Sequence, residues 1–195
     1  MKKIYNLLGE EWRSDFFYAY GPQAKSQKKF TERNANGALY AGYNEDIKDN
    51  DYISAITLKK YPANVEATVR CTYRGTGAPL IVFSDDLVPE GDILRYRLHF
   101  EAVAYSGGCN VWHIVPRPEN KEWPVKSTKI AFEKFPIRED EEIEMTVRIV
   151  GKTLTVSLCG KEFSVEDPEF PENFHIGFTA CEGECSFSRF TVEEL

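Results

Sequence analysis

The 195-residue sequence lacks any long hydrophobic run. The apolar residues near the N-terminus are broken by Asn6 and then by Gly9-Glu10-Glu11, so the apolar region of roughly 7–15 residues that marks a secretory signal is missing. No stretch approaches the roughly 18 apolar residues of a membrane-spanning helix. The sequence therefore predicts a protein that is neither secreted nor membrane-spanning, and the cytoplasm is its expected location.

The sequence also lacks an excess of basic residues. Lys and Arg number 24 against 31 Asp and Glu, which gives a formal net charge of -7 and a pI near 5.1. The basic residues are dispersed along the chain. Because a phosphate-rich partner requires a basic surface, neither a nucleic acid nor an anionic membrane is an expected partner.

The cysteines do not form an even set. There are 5 of them, and with no secretory signal this odd count favours free thiols in a reducing compartment. Cys181 and Cys185 in CEGEC would supply only half of a zinc site, and no second Cys/His pair lies nearby. The motif instead favours two small, partly buried residues beside a turn. No metal and no other cofactor is expected.

Helix signals are also few. The best candidate is Lys3 to Tyr20, which also fits a helical turn before an extended arm. Elsewhere, alternating apolar residues and β-branched or aromatic enrichment predict strands, separated by Gly, Pro, Asn and Asp. Gly151-Lys152 is a predicted two-residue hairpin turn, and LVPEG after Asp85-Asp86 is also expected to be a turn. The predicted strands are 38–43, 52–60, 64–74, 79–85, 93–103, 109–116, 128–135, 142–150, 153–160, 161–167, 174–181 and 185–194.

This spacing predicts an all-β, two-sheet antiparallel sandwich or a barrel. No linker or repeat divides the chain, so a single domain is expected over residues 1–195, with 1–35 as an N-terminal arm or first strands and 36–195 as the main sandwich. The alternation places Val65, Ala67, Val69, Cys71 and Tyr73 on one face, and likewise Ile143, Met145, Val147 and Ile149. Taken as one strand, 93–103 has the apolar face Leu94, Tyr96, Leu98 and Phe100 and the polar face Arg95, Arg97, His99 and Glu101.

The C-terminal third carries a hairpin, TVRIVGKTLTVSLCGKEF, followed by NFHIGFTACEGECSFSRFTVEEL. This pattern resembles the closing segment of concanavalin A-like lectin/glucanase jelly rolls. The segment GDILRYRLHFEAVAYSGGCNVWHIVP is similar to small bacterial proteins of the YesU/DUF1961 group and, more distantly, to 3-keto-disaccharide hydrolase (DUF1080) domains. The resemblance covers roughly residues 36–195. It implies a concanavalin A-like jelly roll that recognises or processes carbohydrate.

The sequence departs from the glucanases of that fold at their catalytic strand, which carries E-x-D-x-x-E. The nearest acidic pair is Glu142 and Glu144, which follows a charged turn. Residues two apart on a strand are separated by about 7 Å, so distance alone permits a catalytic carboxylate pair. A solvated acidic edge is the favoured interpretation.

The candidate site lies on two strands joined by the loop AYSGG. His99 and Glu101 are the candidate acid/base residues, and the neighbouring arginines are candidate ligand clamps. As antiparallel partners, the strands would place His99 or Arg97 across from Trp112 or Asn110. Trp112 is either a sugar-stacking platform or a core aromatic, and His113 is either a site residue or structural, depending on which face of 109–116 is buried. The candidate substrate-binding residues are Arg70, Arg95, Arg97, Asn110, Trp112, His113 and Trp123.

Three functions remain open at this point. The first is binding of an oligosaccharide on the concave sheet by a flat aromatic ring and hydrogen-bonding side chains. The second is a glycoside hydrolase or lyase that uses His99 or Glu101 in the same groove. The third is a non-catalytic structural protein, and a homo-oligomer is left open. Asp85-Asp86 would bind a hydroxyl or a cation, or would only cap a strand end.

Overall fold

The computed structural model of the chain describes residues 1–20, 32–33, 39–41, 43–44, 48–50, 53–90, 93–117, 119–120, 125–181 and 183–195. Within these residues no helix is long and apolar enough to cross a membrane. A 3-10 helix covers Glu11–Asp15. In chain order the strands are β1 (Lys2–Asn6), β2 (Phe16–Tyr20), β3 (Glu32–Arg33), β4 (Leu39–Ala41), β5 (Tyr43–Asn44), β6 (Asp49–Asn50), β7 (Ile53–Thr57), β8 (Tyr61–Pro62), β9 (Asn64–Arg74), β10 (Leu80–Ser84), β11 (Leu87–Glu90), β12 (Ile93–Tyr96), β13 (His99–Tyr105), β14 (Gly108–Pro116), β15 (Val125–Lys134), β16 (Ile143–Val150), β17 (Thr153–Leu158), β18 (Lys161–Glu166), β19 (Asn173–Ala180) and β20 (Glu184–Glu194).

The strands form two large sheets, so the predicted two-sheet sandwich is confirmed. The 8-stranded sheet has the order β18-β17-β16-β9-β20-β4-β3, with β1 also paired to β20. The 10-stranded sheet has the order β11-β12-β2-β7-β19-β10-β13-β14-β15, with β8 also paired to β19. The pairs are antiparallel except β12 with β2. The N-terminal strands β1 and β2 therefore belong to different sheets.

The core lies between the two sheets, where the alternating apolar residues meet. The inward faces predicted for 64–74 and 142–150 are confirmed, because both strands alternate between buried and more exposed residues. Phe178 of β19 contacts Phe187 and Phe190 of β20, with ring centroids 5.0 and 5.3 Å apart. These rings join the two sheets, and their burial excludes a large apolar area from water.

The 10-stranded sheet curls strongly. In sheet order β12 and β13 are separated by β2, β7, β19 and β10. Nevertheless the ring of Tyr96, at the end of β12, lies 4.3 Å from the ring of His99, at the start of β13. The Tyr96 hydroxyl also lies 2.7 Å from Ser54 Oγ on β7. The face turned away from the core is therefore concave.

Two local predictions are wrong. A helix over Lys3 to Tyr20 is wrong, because this segment contains β1, the 3-10 helix and β2, whereas the alternative of a helical turn before an extended segment is confirmed by the 3-10 helix that leads into β2. Tyr5 and Phe16 are buried in the core and pack edge to face, which favours strands docked on the sandwich over a helix. The segment expected to be a turn after Asp86 is strand β11, which pairs with β12 from Leu87↔Tyr96 to Glu90↔Ile93. The predicted Gly151-Lys152 turn is confirmed, with Gly151 at φ 58° between Val150 and Thr153.

The segment 93–103 is not one strand. It is interrupted between β12 and β13, and the alternation changes face at the interruption. Tyr96 and His99 consequently lie on the concave face, while Phe100 points into the core. The predicted polar face of Arg95, Arg97, His99 and Glu101 is therefore wrong, and so is the apolar face of Leu94, Tyr96, Leu98 and Phe100.

Candidate functional site

The concave face carries both the apolar floor and the polar residues of the candidate site. Residues paired across neighbouring strands lie on the same face, so the register identifies its members. Its deep part is apolar and contains Ile56, Leu80 and Val82, each without exposed surface. Its polar and aromatic members include Ser54, Tyr96, His99, Glu101, Asn110, Trp112, Lys129, Phe132, His175 and Thr179.

The two predicted acid/base residues are brought together. His99 and Glu101 follow each other at a spacing of two on β13, so both side chains project from the concave face. His99 Nε2 lies 3.1 Å from Glu101 Oε1, and both residues are buried. The other ring nitrogen, Nδ1, lies 3.0 Å from the backbone oxygen of Arg97.

These contacts determine where the protons lie. The Arg97 carbonyl only accepts hydrogen bonds, so His99 Nδ1 must carry a proton and donate it. A hydrogen bond between Nε2 and Glu101 then requires one more proton, on either the imidazole or the carboxyl group. The two side chains therefore share one proton between Nε2 and the carboxyl group.

A chain of hydrogen-bonded hydroxyl groups lies next to the His99–Glu101 pair. Ser54 Oγ lies 2.7 Å from the Tyr96 hydroxyl and 2.6 Å from Thr179 Oγ1. The Tyr96 ring packs edge-on against His99. His175 lies farther along the same face, where burial lowers its pKa, opposed by a hydrogen bond that Nδ1 donates to the Thr57 carbonyl. Polar groups at this depth are costly unless they are paired, and pairing fixes their geometry.

Asn110 is the exception among the buried polar groups that the structure describes on the concave face. Its side chain projects from β14 onto the concave face, opposite Val103 of β13 and Phe132 of β15. The residue is only 9% exposed. Its side-chain oxygen Oδ1 has no hydrogen-bond partner within the part of the chain that the structure describes. A buried acceptor in this state is unfavourable, and it is available to a donor from a ligand or a water molecule.

Two aromatic rings flank Asn110. Trp112 lies next to it on the same face of β14, half-buried and packed against the apolar floor. Phe132 is 59% exposed, which is unusual for a phenyl ring on a strand. The ammonium group of Lys129 lies 5.0 Å from the Trp112 ring and 5.7 Å from the Phe132 ring. This arrangement is a cation–π contact that holds the lysine between the two rings.

A β-bulge creates this arrangement. The register between β14 and β15 shifts between Val111 and Trp112, so Ala131 pairs with Val111 but Lys129 pairs with Trp112. Ile130 is the extra residue and packs against the core. Because the bulge reverses the alternation, Lys129 and Phe132 both reach the concave face.

The remaining predicted residues lie elsewhere. Arg97 is exposed and binds Asp86 Oδ1 through Nε and an Nη atom, at 2.9 and 2.6 Å. Arg95 lies on the opposite face of β12 from Tyr96. Arg70 does not lie on a strand next to the candidate site, because β9 belongs to the other sheet. Arg70 there binds Glu144 on the outer surface. Trp123 lies outside the described residues.

The facing of 109–116 is now determined. Asn110 and Trp112 share the concave face with His99 and Glu101, with Trp112 directly across from Glu101. His113 points the other way, where its ring stacks on Phe100 at 4.4 Å.

The two acidic pairs are held by ion pairs and backbone contacts. Glu144 accepts hydrogen bonds from Arg70 and Arg189, and the Arg70 bond lowers its pKa. Glu142 lies on the same outer surface, beside Arg70. Asp86 accepts hydrogen bonds from Arg97 and from the backbone of Leu98. This geometry fits the solvated acidic edge and the capped strand end that the sequence favoured.

Lys129 and Phe132 are the site residues that the sequence did not reveal. The segment 128–135 was predicted as a strand, but strict alternation across it hides the bulge. Ser54, Tyr96 and Thr179 were also not singled out, because they meet only when the sheet curls. The one available signal in the sequence was the position of Phe132 beside the charged residues Glu133 and Lys134.

Solved structures show that the fold is a concanavalin A-like jelly roll. A Bacillus subtilis protein with a galectin-like fold superposes with a TM-score of 0.66 at 11% identity, covering 100% of this chain and 98% of that one. The Bacteroides ovatus mixed-linkage glucan GH16 protein, in complex with its product, gives 0.61 at 9% identity, covering 98% and 99%. Carbohydrate-binding module CBM66 from Bacillus subtilis gives 0.55 at 10% identity, covering 76% and 87%.

These likenesses confirm the fold that the sequence predicted. No protein-family profile and no curated protein matches the chain.

Proposed function

We propose that the protein binds an oligosaccharide on the concave face of its 10-stranded sheet. The observation that carries this proposal is the buried, unpaired Oδ1 of Asn110, flanked by the rings of Trp112 and Phe132. A sugar supplies hydroxyl donors and apolar C–H faces together, which are the two things this surface offers to bind.

Each side chain has a distinct role in this complex. A sugar hydroxyl donates a hydrogen bond to Asn110 Oδ1 and satisfies it. The pyranose ring stacks on Trp112 or Phe132, and Lys129 between them donates hydrogen bonds to ring or hydroxyl oxygens. The His99–Glu101 pair lies directly across from Trp112, at the inner end of the same surface.

The similar structures support a carbohydrate ligand. Three of them are a carbohydrate-binding module, a GH16 protein in complex with a mixed-linkage glucan product and a κ-carrageenase in complex with a κ-carrageenan oligosaccharide. A fourth is associated with endo-acting O-glycanases that initiate mucin breakdown. The resemblance of residues 91–116 to the YesU/DUF1961 group and to DUF1080 domains points to the same ligand class, and we propose that the chain belongs with those small bacterial proteins.

An acid/base enzyme is the second candidate function, and the His99–Glu101 pair favours it. The two side chains share a hydrogen bond next to the proposed sugar surface. However, glycoside hydrolysis by two carboxylates needs a second carboxyl group within roughly 10 Å. Among the strand positions described on the concave face, Glu101 is the only carboxylate. Binding is therefore the better-supported function.

The experiment is a binding screen with matched variants. Purified protein is titrated with mixed-linkage β-glucan, κ-carrageenan and mucin O-glycan oligosaccharides by calorimetry, and product formation is followed in parallel. We expect Trp112→Ala and Asn110→Ala to raise the Kd of the bound sugar by at least about tenfold, equivalent to about 1.4 kcal/mol. Lys129→Ala should weaken binding by less.

The control lies on the same strand as Lys129. Lys126 is exposed, but it pairs with Val115 and therefore projects from the opposite face of β15. Lys126→Ala should leave the Kd unchanged. No binding to any sugar, or equal losses in the two lysine variants, would refute the proposal. Turnover that Glu101→Gln abolishes would establish the enzyme instead.

A further inference from the structure

A second polar cluster lies on the other side of β14, away from the concave face. His113 Nδ1 is 3.3 Å from Asp167 Oδ2, and His113 Nε2 is 3.0 Å from Glu169 Oε2. One ligand atom from each of these residues lies within 4.8 Å of the others. The cluster takes no part in the proposed sugar site, because His113 faces the core side of the sheet.

The cluster is held rigidly. The His113 ring stacks on Phe100, and Phe100 packs edge to face on Phe170, with centroids 4.7 Å apart. Asp167 Oδ1 accepts a hydrogen bond from the backbone of Glu169 at 2.8 Å, which leaves Oδ2 facing the histidine. Preorganised ligands of this kind lower the cost of binding an ion.

His113 Nε2 is the unusual atom of the cluster. It is buried, and although Glu169 Oε2 is close, their approach does not have hydrogen-bond geometry. A buried imidazole nitrogen that makes no hydrogen bond to the adjacent carboxylate is free to serve as a metal ligand. Exposed Glu169 leaves the outer side of the cluster open, so an ion would have a path from solvent.

We propose that His113, Asp167 and Glu169 bind a divalent transition-metal ion such as Zn²⁺, with His113 Nε2 as the nitrogen ligand. Imidazole with carboxylates is a donor set that zinc accepts, whereas Ca²⁺ and Mg²⁺ prefer oxygen ligands alone. Ligand atoms on one tetrahedral zinc lie about 3.4 Å apart, so small side-chain rotations within the cluster suffice. Bound there, the ion ties β14 to the connection between β18 and β19, which joins the two sheets.

The test is calorimetric titration of the full chain with zinc chloride, in a Cys159→Ser background because Cys159 is an exposed thiol. We expect one ion per chain. Glu169→Gln should raise the zinc Kd by roughly 10–100-fold. Because Glu169 is largely exposed, this variant should fold normally. The matched control is Glu172→Gln, an exposed glutamate three residues away, which should leave the Kd unchanged.

A second variant and a second probe complete the experiment. His113→Asn should remove saturable binding, and Co²⁺ in place of zinc should give an absorption spectrum without thiolate charge-transfer bands. If zinc does not saturate by about 1 mM, the cluster does not bind a metal ion and the proposal is wrong. Equal binding by wild type, Glu169→Gln and His113→Asn would equally refute it.

Discussion

At the scale of single residues, the His99–Glu101 pair is the feature with the clearest chemical consequence. The Arg97 carbonyl fixes a proton on Nδ1 of His99. Nε2 therefore needs either a protonated acid that donates to it or an acceptor for a proton of its own. Both side chains are buried, at 0% and 5% exposure, so bulk solvent does not replace a lost partner. The stability of the concave face therefore depends on what residue 101 presents to Nε2.

Two substitutions of Glu101 separate hydrogen bonding from shape. In Glu101→Gln the amide N–H donates to Nε2 of a neutral His99, so the loss of stability should be about 1 kcal/mol. Glu101→Leu fills the same space but leaves Nε2 buried without a partner, and should cost roughly 1–3 kcal/mol more. Urea denaturation of both variants measures the difference. Equal stabilities would show that Nε2 does not depend on residue 101.

At the scale of elements, the prediction succeeded where strands alternate without interruption. β9 and β16 were located within a residue of their bounds, because each buries every second side chain against one core. The hairpin turns at Gly151 and Gly160 lie at positive φ, which glycine adopts easily, so the glycines in the sequence indicate where these turns lie.

The prediction failed where the alternation continues through a change of direction. The run from Leu94 to Val103 contains no Gly or Pro, yet the chain bends at Arg97-Leu98. The cause of the bend is not local, since residues that precede β11 stabilise it through hydrogen bonds. Ser84 Oγ donates to the Leu98 carbonyl, and Asp86 accepts from the Leu98 amide and from Arg97. The bulge in β15 was missed for a similar reason. Sequence alternation does not show the bulge, and only the pairing of β15 with β14 reveals it.

The bend predicts a difference between two adjacent acids. Asp86→Ala removes the acceptor for Arg97 and the Leu98 amide and should destabilise the protein by about 1–2 kcal/mol. It should also weaken sugar binding, because β13 begins directly after the bend with His99. Asp85→Ala is the control, since Asp85 is exposed, and should change stability by less than about 0.5 kcal/mol. Similar losses in both would place the stabilisation elsewhere.

At the scale of the whole molecule, the two sheets share one aromatic core. Phe178 of the 10-stranded sheet contacts Phe187 and Phe190 of the 8-stranded sheet as well as Phe16. Trp12 reaches the same cluster from the 3-10 helix. Neither sheet buries its apolar face without the other, so we propose that the chain folds as a single domain.

This shared core predicts one cooperative unfolding transition. Far-UV and near-UV circular dichroism should report the same midpoint in urea, because the loss of the Phe178 cluster exposes both sheets together. Phe178→Ala should lower the free energy of unfolding by roughly 3–5 kcal/mol while keeping the two midpoints coincident. Phe132→Ala is the matched control: its ring is 59% exposed, so it should change stability by less than about 0.5 kcal/mol. Separate midpoints for the two signals would show instead that the sheets unfold independently, and the domain would then consist of two units despite its common aromatic cluster.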